Sequence, residues 1–263
     1  FLAGEGSVDL GAFTAIDNDA AESLCTHEEW LTLNGLTKLS DAAAESLSKC
    51  KGTRLYLNGL TSLSEAAAES LSNHRGDYLY LNGLASLSVA AAKSLINHQG
   101  SLYLNGLWSL SDAAAENLSK HAGPLWLNGL TGSPDGPGQI RLRLKLDANK
   151  LYDLNSLSDV AAEVLSKYEG DLNLRGLTEL SDTAAESLSK HKGSLSLDGL
   201  TSLSDAAAES LGKHDGWRLS LNGVIGLLDA PAKSLSKTKG NLSLDGLTSL
   251  SDAAAESLGK HKR

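Results

Sequence analysis

The sequence predicts an α/β solenoid with a parallel β-sheet on one face and short helices on the other, built from about eleven repeats. Three observations carry this prediction. A marker position recurs at Ala12, Gly35, Gly59, Gly83, Gly106, Gly129, Asp153, Gly176, Gly199, Gly223 and Gly246, with every spacing 23 or 24 residues. Leu stands four and two residues before the marker with a polar or aromatic residue between, as at Leu102 and Leu104. An Ala-rich run follows, as in Ser-Asp-Ala-Ala-Ala-Glu-Asn-Leu-Ser-Lys-His at 111–121. A fixed period of this length is the signature of repeat architectures.

Each part of the unit has a physical reason. The Leu-x-Leu alternation is a short half-buried strand. Asn or Asp precedes the marker in eight of eleven units, and Asn-Gly accepts positive φ, so a turn is expected there. Leu107 and Leu110 fill the corner. Ser or Asp caps the helix, and Ala favours it. Ala114 and Leu118 share one face because they lie four residues apart. Gly123 suits a left-handed C-terminal cap. Pairs such as Glu45/Lys49, Glu116/Lys120, Glu163/Lys167, Glu186/Lys190, Glu209/Lys213 and Glu256/Lys260 mark the solvated side and contribute a few tenths of a kcal/mol each. One unit alone has an apolar stripe with nothing to cover it. Stacking at about 4.8 Å turns the Leu positions into continuous ladders, each buried Leu contributing about 1.5–3 kcal/mol.

Leu200-Thr201-Ser202-Leu203-Ser204-Asp205-Ala206-Ala207 leads from strand to helical side in the manner of a Leu-Thr-Ser-Ile-Gly-Asp-x-Ala run. In this the chain resembles leucine-rich repeats, specifically the 23-residue bacterial class typified by BspA-like surface proteins. It differs in its Ala-Ala-Ala helix, and in Leu where those repeats often carry Phe and Cys. The resemblance covers nearly the whole chain. It implies a right-handed leucine-rich-repeat solenoid, a binding role for the outward strand face, and a cell-surface or extracellular location.

The 263 residues are read as a single solenoid domain, 1–263, because the period keeps its register throughout. Residues 1–29 form a degenerate first repeat, with Val8 and Leu10 at strand positions. Residues 131–150 are an irregular repeat. There Gly and Pro replace the Ala run, no helix is expected, and Ile140, Leu142, Leu144 and Leu146 alternate with Arg141, Arg143 and Lys145 as a strand with a basic outer face. Pro231 falls in a first helical turn, where it is tolerated. With no Met, the chain is expected to be a processed product or a fragment, and its end suggests that a parent array continues. No apolar run suits a membrane span, and a net charge of −9 argues against nucleic acid as partner. Cys25 and Cys50 fall at adjacent helix ends. A disulfide and a pair of free, partly buried thiols both remain open, with the thiols favoured.

The candidate ligand-binding strip is the outward strand position, three before the marker. It reads Thr32, Tyr56, Tyr80, Tyr103, Trp126, Lys150, Asn173, Ser196, Ser220, Ser243. Tyr78 extends the aromatic half on the same face and Trp30 lies near the start of the array. Such rings suit a protein loop or a glycan, though aromatics also stack across strands for local stability. Arg141, Arg143 and Lys145 form a second candidate, a patch for an anionic partner. All seven histidines (His27, His74, His98, His121, His191, His214, His261) fall fifteen residues past a marker. They are read as caps that complement the helix dipole and not as metal ligands, which need a closed set. The Asn/Asp row is read as side chains bonding backbone within the turn, and the Asp row at helix starts (Asp41, Asp112, Asp182, Asp205, Asp252) as capping. No nucleophile motif, phosphate loop or Cys-x-x-Cys is present, so no catalysis, cofactor or metal is expected.

The function expected is a non-catalytic scaffold for protein–protein interaction or surface structure. A carbohydrate-binding module using the strip is one alternative. A filament- or array-forming unit that self-associates end to end is the other, favoured by the near-identity of repeats eight, nine and eleven.

Overall fold

The computed structural model describes residues 7–26, 28–130 and 136–261. The chain divides into two compact units, Phe1–Gly132 and Ser133–Arg263. Unit 1 runs β1 (Ser7–Asp9), α1 (Asn18–Leu24), β2 (Trp30–Thr32), α2 (Asp41–Ser48), β3 (Arg54–Tyr56), α3 (Glu65–Ser72), β4 (Tyr78–Tyr80), α4 (Val89–Leu95), β5 (Ser101–Tyr103), α5 (Asp112–Leu118) and β6 (Leu125–Trp126). Its six strands form one parallel sheet in sequence order. Unit 2 runs α6 (Pro137–Asp147), a 3-10 turn (Ala148–Asp153), α7 (Asp159–Ser166), β7 (Leu172–Asn173), α8 (Asp182–Leu188), β8 (Leu195–Ser196), α9 (Asp205–Leu211), β9 (Arg218–Ser220), α10 (Asp229–Leu235), β10 (Asn241–Ser243) and α11 (Asp252–Gly259). Strands β7 to β10 form a second parallel sheet. Each unit is therefore an α/β repeat solenoid of the leucine-rich kind, parallel strands on one face and helices on the other.

The Leu columns are the reason the strands pair where they do. Leu31, Leu55, Leu79, Leu102 and Leu125 are successive partners in unit 1, as are Leu172, Leu195 and Leu219 in unit 2. All are buried, together with the second column Leu33, Leu57, Leu81, Leu104 and Leu127. The helices press paired alanines against these columns (Ala43 and Ala44, Ala67 and Ala68, Ala184 and Ala185), followed by a Leu three residues on. A one-residue slip would turn every column outward, which fixes the register.

Polar side chains tie one repeat to the next. The cap Ser accepts a hydrogen bond from the backbone N–H three residues on, as Ser64 does from Ala67, and its hydroxyl donates to the Asp that opens the preceding helix. Ser64 Oγ reaches Asp41 at 2.5 Å, Ser181 reaches Asp159 at 2.5 Å and Ser204 reaches Asp182 at 2.5 Å. Ser supplies the side-chain caps, except that Asp17 serves α1 and Leu228 before α10 makes no cap bond. Asp41 and Asp182 of the Asp row therefore link helices instead of capping them. Likewise the Asn row bonds the following repeat and not its own turn. Asn34 Oδ1 accepts from Asn58 N at 3.0 Å, Asn58 from Asn82 at 3.1 Å, Asn82 from Asn105 at 2.9 Å and Asn105 from Asn128 at 3.0 Å. Replacing Asn82 with Ala strands the part-buried Asn105 N–H, and the expected cost is about 1–2 kcal/mol. Asn82→Asp should retain most of it, because Asp198 makes the same bond to Asn222 N at 2.8 Å. Denaturant titration of the two variants checks this, and equal losses would contradict it.

Three expectations are corrected. Residues 137–147 form α6, not a strand, so the irregular repeat does not lack a helix. Pro137 takes the first position, where its missing N–H costs nothing, and Leu, Arg and Lys are strong helix formers despite their alternation. Ile140 and Leu142 are buried, and Ile140 joins Leu151 and Leu154 in the unit 2 core. Next, Cys25 and Cys50 are joined in a disulfide, Cα atoms 4.1 Å apart, so the favoured reading as free thiols does not hold. The bond clips the residue after α1 to the second residue after α2. Finally, neither the marker glycines nor Gly123 adopts positive φ; close approach to the preceding repeat excludes a side chain there.

Candidate binding face of the sheet

Outward side chains on parallel strands in register stand one strand spacing apart, about 4.8 Å. Four consecutive aromatics at one position therefore stack. Tyr56 and Tyr80 have ring centroids 4.2 Å apart at 11°, Tyr80 and Tyr103 4.2 Å at 20°, and Tyr103 and Trp126 5.7 Å at 8°. Tyr78 sits 6.4 Å from Tyr80 and 6.5 Å from Tyr103. The five strip residues expected from the sequence are thus brought together on unit 1. The three Tyr rings of the stack are half-buried, and Trp126 is 45 % exposed. Each inner ring turns its faces to its neighbours and leaves its edge and hydroxyl outward. Burial raises the Tyr80 phenol above its ordinary value, and hydrogen bonding and charge from Tyr56 and then Tyr103 raise it further. Tyr80 therefore stays a neutral O–H across the physiological range.

A second row runs beside the first. The Arg54 guanidinium lies 4.7 Å from the Trp30 ring centre and 5.1 Å from that of Tyr78, a cation held between two π-faces. The sequence reading gave Arg54 no role. The signal was available, since Arg54 lies two residues before Tyr56 and hence on the same face.

The sheet face of unit 2 is polar and bonded to itself. Ser196 and Ser220 hydroxyls both donate to Asp198, at 2.8 and 2.7 Å. Burial pushes the Asp198 carboxyl up, but the bonds from Ser220, Asn222 and Ser196 outweigh it and hold the group below its ordinary value. Lys150 lies at a position whose side chain is not described. The basic patch is rearranged by α6: Arg141 and Lys145 lie one helical turn apart, whereas Arg143 is turned elsewhere and pairs with Asp153 at 2.5 Å. The three residues do not form one outward row.

The capping of carbonyls by histidine holds in part: His121 Nδ1 lies 3.3 Å from the carbonyl of Ile96, which ends α4, and His261 Nδ1 3.3 Å from that of Ser236, which ends α10. His74, His98, His121, His191 and His214 are buried, stacked in part (His74 to His98 6.2 Å, His191 to His214 6.4 Å). His98 Nδ1 lies 3.1 Å from the His74 carbonyl. Both ring nitrogens of His74 find no partner in the protein. Burial lowers His74 to about 4, with the neighbouring His98 adding to it, and burial likewise lowers His98, His191 and His214. Rings held neutral cannot complement a dipole as cations, so that part of the expectation is corrected. His27 lies outside the described residues. Among the described residues no group of three or more His, Cys, Asp or Glu is placed to hold a metal ion, and no helix is long and apolar enough to cross a membrane.

No family model matches the chain, and no curated protein does. Fourteen chains of solved structures match. Among them is the crystal structure of an internalin from Listeria monocytogenes, 20% identical, with a TM-score of 0.33, covering 92% of this chain and 81% of that one. The superposition is loose, and the assignment of the fold rests on the register and burial of the Leu columns.

Proposed function

We propose that the protein is a non-catalytic recognition scaffold whose unit 1 sheet face engages a protein partner. The observation that carries this reading is the continuous stack Tyr56–Tyr80–Tyr103–Trp126, flanked by the Trp30–Arg54–Tyr78 sandwich. Rigid aromatics and Arg are the side chains that dominate protein interfaces, because they offer much contact area for little lost entropy. The geometry weighs between partners. A sugar ring docks on an open aromatic face, but the inner tyrosines cover one another's faces and present hydroxyls and edges, which suit a protein loop better. A glycan reading is left mainly to Trp126, the most exposed ring of the strip.

The disulfide supports export to the cell surface or beyond, since such bonds persist in oxidising compartments. The BspA-like resemblance points the same way. Self-association end to end is the further reading, and the near-identical repeats of unit 2 favour it over diversified recognition there.

The test is screening of wild type and a Tyr80→Ala/Trp126→Ala double variant against a panel of extracellular proteins and a glycan array. Loss of two truncated anchors is expected to weaken a protein partner by about 2–4 kcal/mol, at least about thirtyfold in Kd. A partner bound equally by both proteins would remove the strip from the interface. Glycan binding lost with Trp126→Ala alone would replace the protein reading.

A further inference from the structure

The tyrosine stack has a chemical property independent of any partner. Tyr56, Tyr80 and Tyr103 come from three successive repeats, and both neighbouring pairs have ring centroids only 4.2 Å apart, nearly parallel. Trp126 adds a fourth oxidisable ring 5.7 Å from Tyr103. The usual competing sinks for oxidising equivalents are absent: the chain has no Met, and both its cysteines are tied up in the disulfide. One-electron oxidation is thus directed to tyrosine and tryptophan, and the stack concentrates four such rings in contact.

We propose that Tyr80 is a site of oxidative cross-linking, forming an ortho–ortho dityrosine with Tyr56 or Tyr103 under a haem peroxidase and hydrogen peroxide. Each phenol loses its O–H hydrogen atom to the oxidant in a one-electron step. The two phenoxyl radicals then couple through one ortho carbon each, forming a carbon–carbon bond. Both ortho hydrogens leave as protons and a proton returns to each oxygen, so the rings regain aromaticity and their hydroxyls. In sum, two tyrosines and one hydrogen peroxide give one dityrosine and two waters. The product is a covalent bond between adjacent repeats on their sheet face, stapling positions 24 residues apart (Tyr56 and Tyr80) or 23 apart (Tyr80 and Tyr103). Closing such a loop restrains the unfolded chain as a disulfide does.

Peroxidase and limiting hydrogen peroxide applied to the full chain at low micromolar concentration should give blue dityrosine fluorescence. The monomer should become lighter by two hydrogen atoms, and peptide mapping should place the link at Tyr80. Tyr80→Phe keeps the stack but leaves Tyr56 and Tyr103 two strands apart, and should cut the monomeric yield at least about tenfold. A Tyr152→Phe/Tyr168→Phe variant should leave the yield unchanged, since neither residue belongs to the stack. Urea-unfolded protein should lose the preference for Tyr80. Dityrosine found only between chains, or an unchanged yield in Tyr80→Phe, would overturn the proposal.

Discussion

Lowering the pH from about 7 to about 4 is expected to remove on the order of 3 kcal/mol of stability from unit 1 through His74 alone. The folded His74 titrates near 4 instead of 6.5 because burial, and then the neighbouring His98, disfavour its cation. Between those two values the unfolded chain binds a proton that the folded chain refuses. Stability is therefore whole above about 6.5 and falls continuously as the pH drops toward 4, below which this contribution stays constant. His98, His191 and His214 are lowered in the same direction, so both units lose stability as the pH falls below about 6.5. In unit 2 the carboxylates Asp171 and Asp215 oppose the shifts of His191 and His214, whereas no carboxylate opposes those of His74 and His98. Unit 1 should soften first. The lowered carboxylates Asp171, Asp198 and Asp215 act only below about pH 4, which separates the two effects. Near-ultraviolet circular dichroism of the tyrosine stack follows unit 1 directly. His74→Leu should move its acid midpoint downward, and at neutral pH it should cost little, because it also removes two buried nitrogens that have no partner. A transition confined below pH 4, identical in wild type and His74→Leu, would sink this account.

What the sequence made legible, and what it did not, divides along one line. Features that a single repeat determines alone were readable: Leu31 and Leu33 pointing inward, Ser40 capping α2, Lys49 reaching Glu45 at 2.9 Å on the outside. Features that depend on two adjacent repeats were misjudged or missed. Asn58 looked like a residue of its own turn but bonds Asn82 of the next repeat. His74 stood at a helix end in sequence but is covered by the neighbouring repeat. Cys25 and Cys50 fall at adjacent helix ends in sequence, yet only the stacking of their two repeats brings the Cα atoms within bonding reach. The strip lies between these cases. Its rows followed from strand alternation, whereas the mutual covering of the ring faces, which weighs for a protein over a glycan, required the register in space. The helix α6 failed for another reason: Ile-Arg-Leu-Arg-Leu alternates by polarity, but its residue types favour helix, and burial of Ile140 with Leu151 and Leu154 decided between the two.

Gly83→Ala should be among the most damaging single substitutions in the chain, by about 3–5 kcal/mol. A Cβ on Gly83 would lie 2.1 Å from the Asn58 carbonyl oxygen and 2.7 Å from that of Leu60. Both atoms are backbone of the preceding repeat, held in place by the bond from Asn82 N to Asn58 Oδ1 and by the paired strands beneath. No side chain can swing away, so relief requires separating two repeats, and that opens the Leu57 and Leu81 columns to water. The same clash recurs at Gly59, 2.1 Å from Asn34 O, and at Gly106, 1.9 Å from Asn82 O, so each marker glycine sets how closely its repeat seats on the last. Gly226 supplies the control. It lies outside the repeating position and a Cβ there meets nothing within 4 Å, with no positive φ to strain. Gly226→Ala should be neutral or stabilise by about 0.4–1 kcal/mol, through the reduced freedom of the unfolded chain. Thermal and denaturant unfolding of the two variants, followed at the tyrosine stack for unit 1 and by far-ultraviolet dichroism for the whole, separates the explanations. If turn flexibility were what these glycines supply, the two substitutions would cost alike. Close contact between repeats requires that only Gly83→Ala unfold its unit.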